Sequence, residues 1–131
     1  MRPNLKHMEL TEELTFTSEL VVSDAQSAKH WGSGALDVFA TPAMVALMEN
    51  AAMNAVVSAL PEGCDTVGTA VNVNHIKATP VGDTVHATAT LKEIEGRKLV
   101  FEVTANDSKG EIGNGTHTRF VIDREKFLSR L

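Results

Sequence analysis

Hydrophobic and polar positions change their period twice along the chain. Residues 14–22 (LTFTSELVV) alternate loosely and are rich in β-branched types, which predicts a first strand. From residue 23 to 39 the alternation dissolves into small and polar residues around His30, Trp31, Gly32, Ser33 and Gly34. A loop of that length serves either as an active-site lid or as a plain connector, with room for one helical turn. Thr41-Pro42 then offers a helix start, Thr as N-cap and Pro at the first helical position, and Pro61 and Gly63 stop the helix near Leu60. At 1.5 Å per residue such a helix is ~30 Å long. It is apolar almost all the way round, which predicts an element packed on several sides. Period two returns at residues 66–76, with Val67, Thr69, Val71, Val73 and His75 on one face. Residues 77–83 (KATPVGD) form a turn or bulge, strands follow over 84–94, 99–106 and 111–122, and a short helix is expected over 124–131.

One apolar helix needs cover, and alternating strands supply an apolar face. The order therefore predicts an α+β arrangement, a curved antiparallel sheet of about five strands wrapped around one long helix. The 131 residues fit one domain, 1–131, and 43% hydrophobic against 22% charged residues is a globular balance. A formal net charge of −5 lacks the basic excess that nucleic-acid binding draws on, so nucleic acid is not an expected partner. Residues 41–60 have the length of a membrane span but contain Pro42, Glu49, Asn50, Asn54 and Ser58. A carboxylate in mid-span costs at least ~2.5 kcal/mol, so no membrane partner is expected either. Met1 to Glu13 carries Glu9, Glu12 and Glu13 and no apolar run, unlike a secretory signal. The single cysteine, Cys64, allows no intrachain disulfide, and a reducing cytoplasm is the expected location.

Glu49 is the most informative side chain. Its neighbours three and four positions away are Ala46, Val45, Ala52 and Met53, whereas Asn50, Asn54 and Ser58 form a separate polar stripe about 100° away. A carboxylate on an apolar face must be paired, hydrogen-bonded or at a cavity wall. It is then either a general base or an interface residue bonded to backbone or to the Asn stripe. His75 is either a satisfied core histidine or a catalytic one. Thr41 is explained by capping alone, yet a hydroxyl at a helix start also lies where a polarised carbonyl is favoured. His7, His30, His86 and His117 show no metal-ligand spacing with His75, so no metal is expected. Gly32-Ser33-Gly34 lacks the spacing of a nucleophile elbow, Gly113-Asn114-Gly115 reads as a bulge, and Cys64 has nothing to activate it.

Four stretches taken together carry a resemblance: FATPAMVALME (39–49), GTAVNVNH (68–75), PVGD (80–83) and GTHTRF (115–120). They are similar to the hotdog-fold thioesterases, and within them to the fluoroacetyl-CoA thioesterase branch, over residues 15–121. The resemblance implies a hotdog fold and hydrolysis of an acyl-CoA thioester, without a cofactor, in a pocket at the interface of a homodimer or higher assembly. The family's catalytic threonine, glutamate and histidine fall on Thr41, Glu49 and His75, and the glycine near the thioester carbonyl on Gly68. Phe39 and Arg119 fall at substrate-binding positions, Arg119 towards the CoA or carboxyl end. The branch carries a bulky aromatic lid. Here residues 23–39 hold only Trp31 and Phe39 as aromatics, so the expected substrate is a short or small acyl-CoA.

On that basis Glu49 is expected to activate water or the Thr41 hydroxyl, with His75 orienting the nucleophile or moving the proton to the leaving thiolate. Two other activities suit the same residues: an enoyl-CoA hydratase or dehydratase, and a non-catalytic acyl-CoA binding module.

Overall fold

A computed structural model of the protein describes residues 9–131. Most of the stretch tested above as a secretory signal, residues 1–8, lies outside the described residues. Five antiparallel strands, β1 (Thr15–Val21), β2 (Cys64–His75), β3 (Thr84–Glu95), β4 (Lys98–Asp107) and β5 (Gly110–Asp123), form one sheet in the order β1-β3-β4-β5-β2. Helix α2 (Thr41–Val56) lies across the inner face of the sheet, after a short helix α1 (Ala28–Trp31), and α3 (Arg124–Ser129) closes the chain.

Small residues on both surfaces let helix and sheet approach closely. Ala43, Ala51, Ala52 and Ala55 of α2 are buried with Ala87, Ala89 and Ala105 of the strands, and Met44, Met48, Leu91, Leu99 and Phe101 fill the space between. Cover is not complete, contrary to the expectation from the apolar wheel. Ala46, Asn50 and Met53 are exposed along one side of α2, and Val57 just beyond its end. The α-helix also ends at Val56, and a single 3-10 turn (Val57–Ala59) carries the chain to Leu60.

Two departures from the sequence expectation shape the site. The N-cap is Ala40, in extended conformation (φ −71°, ψ 139°), and Thr41 opens the helix itself. The Ala40 carbonyl accepts from the Met44 amide at 3.0 Å, and no side chain, the Thr41 hydroxyl included, caps the first turn. The second departure is in β2, whose register against β5 shifts between Gly68 and Ala70. The extra residue, Thr69, interrupts the pleat. Thr66 and Gly68 before it, and Val71, Val73 and His75 after it, are paired with Val121, Arg119, His117, Gly115 and Gly113 on one face of β5. Val67 and Thr69 thus do not share the face of His75.

The expected bulge at Gly113-Asn114-Gly115 lies one residue earlier, at Ile112, since Ala105 pairs with Gly113 and Asn106 with Glu111. Gly115 answers a different need, because a Cβ there would collide with the Asn72 carbonyl of β2. β2 forms one edge of the sheet, and its residues 68–72 are exposed.

Candidate active site

Thr41 and His75 meet where the start of α2 passes the end of β2. Thr41 Oγ1 lies 2.8 Å from His75 Nδ1, a bond that the Ala40 cap makes possible by leaving the hydroxyl unused. The His75 ring packs edge-on against Phe39, with centroids 6.4 Å apart at 80°. Burial pushes the His75 imidazole below its ordinary range, opposed by the Lys77 main chain, so the neutral form prevails at neutral pH. Its Nε2 is buried and has no hydrogen-bond partner among the described residues.

A cavity of about 300 Å³ opens beside this pair, walled by Ser33, Val38, Phe39, Thr41, His75 and Ile76. The segment preceding α2 is held as a wall rather than left as an open loop. A 3-10 turn (Asp24–Gln26) and α1 fill it, Ser27 bridges to Phe39 and Val38 to Pro80, and the Ala40 amide donates to the Gln26 carbonyl at 2.8 Å. Phe39, 1% exposed, is part of that wall, under the imidazole.

Glu49 stands elsewhere, eight residues along α2 from Thr41 and therefore ~12 Å down the helix axis. Its side chain is 39% exposed, and its Oε2 faces Arg119 Nη1 at 3.5 Å and His117 Nε2 at 3.9 Å. Gly68 leaves room for it, since a Cβ at that position would stand 2.8 Å from Glu49 Oε2 and 3.3 Å from Arg119 Nη1. The guanidinium is anchored on its other sides. Nε donates to Thr66 Oγ1 at 2.8 Å and Nη2 to the Thr66 carbonyl at 2.9 Å. Burial lowers the Arg119 pKa and Glu49 opposes the shift, and a guanidinium has ample margin to stay charged.

The six residues singled out by sequence thus fall into two groups. Thr41, His75 and Phe39 form one, and Glu49, Gly68 and Arg119 the other. Within one chain Glu49 does not touch His75, because Gly68 and His75 are seven residues apart along an extended strand. Sequence reasoning missed His117, which is 2% exposed and lies beside Glu49. Its signal was available, since it sits two positions before Arg119 and so on the same face of β5. Cys64 is buried, its thiol pushed up by burial and then by Asp123 and Asp65. No helix among the described residues is long and apolar enough to cross a membrane.

The profile of the fluoroacetyl-CoA-specific thioesterase family (FlK) matches residues 22–125. The fluoroacetyl-CoA thioesterase of Streptantibioticus cattleyicolor is 42% identical over 122 residues, 88% of each chain. A variant of the fluoroacetyl-CoA-specific thioesterase FlK, solved in complex with fluoroacetate and CoA, superposes with a TM-score of 0.85 at 42% identity, covering 90% of this chain and 99% of that one. A hot-dog-like protein from Thermanaerovibrio acidaminovorans, 23% identical, shares the fold with a TM-score of 0.84 over 92% of this chain and 90% of its own. The helix laid on a five-stranded antiparallel sheet is thus a hotdog fold, and the chain belongs to the fluoroacetyl-CoA-specific thioesterase family, a family of thioester hydrolases.

Proposed function

We propose that the chain hydrolyses a short or small acyl-CoA thioester to the free acid and CoA, in the cytoplasm, as a homodimer or a higher assembly of such dimers. The observation that carries this reading is the 2.8 Å Thr41–His75 hydrogen bond on the wall of a cavity of about 300 Å³. That volume is at the small end of ligand pockets and suits a compact acyl group. Fluoroacetyl-CoA, the substrate named for the relative, is of that class. The lone buried thiol, with no disulfide to form, supports a reducing compartment.

Neutral His75, unprotonated on Nδ1, takes the Thr41 proton as Oγ1 attacks the thioester carbonyl. The C–S bond then breaks, and the departing thiolate receives the proton from the imidazolium. Water cleaves the acyl-threonine ester with Glu49 as general base, releasing the acid and restoring the hydroxyl. The oxyanion rests near the Gly68 amide, which a missing side chain leaves open to close approach. Phe39 bounds the acyl group, and Arg119 stands behind Glu49 at the same end of the substrate.

Two protomers are needed because Glu49 lies far from the Thr41 of its own chain. The exposed run at residues 68–72 of edge strand β2 supports a two-fold pairing. Antiparallel pairing there reverses one strand against the other and sets the Thr41–His75 end of one protomer beside the Glu49–Gly68 region of its partner.

Release of free thiol across acetyl-, fluoroacetyl-, butyryl-, octanoyl- and aromatic acyl-CoAs tests the activity. Turnover confined to the small members supports it, whereas binding without thiol release leaves only a binding module. Mixing His75→Ala with Glu49→Gln protein tests the composite site, since a heterodimer regains one intact site only if the two residues come from different protomers. Mass spectrometry under single-turnover conditions should show an acyl adduct on Thr41; its absence would favour direct attack by water.

A further inference from the structure

We infer that His117 is a positioning residue that holds Arg119 just short of a closed ion pair with Glu49, and so keeps the Glu49 carboxylate free to act. This rests on the reading of Glu49 as a general base given above.

The two hydrogen bonds of the His117 ring determine its protonation without further assumption. Nδ1 lies 2.8 Å from the Ala70 carbonyl oxygen, which only accepts, so Nδ1 carries the proton. Nε2 lies 3.1 Å from Arg119 Nη1, which only donates, so Nε2 presents its lone pair. One neutral tautomer satisfies both contacts. An imidazolium would set N–H against N–H in a site where the ring is 2% exposed. Phe101 of β4 packs against the ring with centroids 6.3 Å apart, so from that side it meets a hydrocarbon surface. Burial lowers the His117 pKa, with Arg119 pushing the same way and the Ala70 carbonyl and Glu49 opposing.

Arg119 has five N–H donors in a rigid fork. The Nε and Nη2 sides are tied to Thr66, and His117 takes one of the two hydrogens on Nη1. The other faces Glu49 Oε2 at 3.5 Å, beyond the length of a good charge-assisted hydrogen bond. Without the His117 acceptor that edge is left unsatisfied at 6% exposure, and Glu49 Oε2, 3.5 Å away, is an acceptor towards which it can swing. A bidentate or shortened pair would then occupy the carboxylate oxygens on which the proposed step depends.

The test uses His117→Leu, which keeps bulk and removes the acceptor, and His117→Gln, whose amide oxygen can replace it. Leucine is expected to lower kcat by about 10- to 100-fold, the scale of a misplaced catalytic group, with KM little changed. Glutamine should restore most of the loss. In an Arg119→Met background the leucine substitution should cost nothing further, because there is no guanidinium left to restrain. Losses that multiply instead would mean a merely structural histidine and would overturn the proposal. Nitrogen-15 NMR of the full-length wild type supplies a readout independent of turnover and of how any variant folds. A ring protonated on Nε2, or charged at neutral pH, would likewise overturn it. Full kcat in Glu49→Gln would sink the reading of Glu49 itself. Full kcat in His117→Leu, with Glu49→Gln inactive, would sink the role of His117 alone.

Discussion

Among the carboxylates with cations beside them, Asp107 and Glu49 have surroundings that differ in kind. Asp107, at the end of β4, has a side chain only 1% exposed and is saturated: Lys77 Nζ at 3.0 Å, Thr79 Oγ1 at 2.9 Å and the Lys109 amide at 2.8 Å all donate to it. Burial alone would raise its pKa, but those three donors outweigh the burial and hold it below the ordinary carboxylate range. Glu49 is more open, has its nearest cation at 3.5 Å, and receives no hydrogen bond among the described residues. Proximity to a positive charge therefore does not separate Asp107 from Glu49, the proposed general base. The count of filled acceptor positions does, because a carboxylate whose lone pairs are all engaged has none left for water.

The sharpest way to break this contrast is to neutralise each acid in turn. Glu49→Gln should lower kcat by at least ~100-fold, the scale of a lost acid-base group, while leaving the urea unfolding midpoint close to wild type. Asp107→Asn should do the reverse, with kcat near wild type and a loss of about 1.5–3 kcal/mol in unfolding free energy for hydrogen bonds to a charged group. Equal effects of the two substitutions on both readouts would erase the distinction.

Gly68→Ala probes the open side of Glu49 together with the approach to the Gly68 amide. The added methyl would meet the far end of the Glu49 side chain at 2.8 Å and His117 Cε1 at 3.1 Å. The flexible carboxylate can move aside, so the fold should survive while kcat falls by roughly tenfold through misplacement. Wild-type kcat would show that the notch does not set the position of Glu49.

The smallest expected effect is that of pH on stability. His75 and His117 both have pKa values lowered in the folded state, burial being the leading cause for each. The unfolded chain takes up protons near the ordinary histidine value of about 6.5, before the folded one does. Their contribution is therefore complete above that value and is lost progressively as pH falls from it towards the folded pKa values. Urea midpoints measured across this window should decline with acid, and His117→Gln should flatten part of the slope. The acid limb of kcat should likewise begin below 6.5, since His75, the proposed base, stays neutral there.

Much of this was legible in the chain itself. The five strands, the helix and its apolar face follow from period and punctuation, and the observed ends differ by a few residues at most. Glu49 was legible because a lone acid among alanines and methionines needs a reason. What period could not convey was the slip at Thr69, which moved Val67 and Thr69 off the face of His75. Alternation assumes an unbroken pleat, and a bulge is decided by how the neighbouring strand pairs. His117 went unmarked for a related reason. Its importance comes from Arg119, Ala70 and Glu49, which converge only after β5 has been placed between β2 and β4.

The helix start at Ala40 has a consequence for attempts to make this protein more robust. Installing a serine, threonine or aspartate at an uncapped first turn is an ordinary route to ~1 kcal/mol of added stability. Ala40 is wholly buried in the core, so a polar side chain there would be taken out of water as well as placed next to Thr41 in the chain. A cap gained there would be offset by that burial and would crowd the proposed nucleophile, so thermal engineering of the chain is better directed to α3 or the outer strand faces.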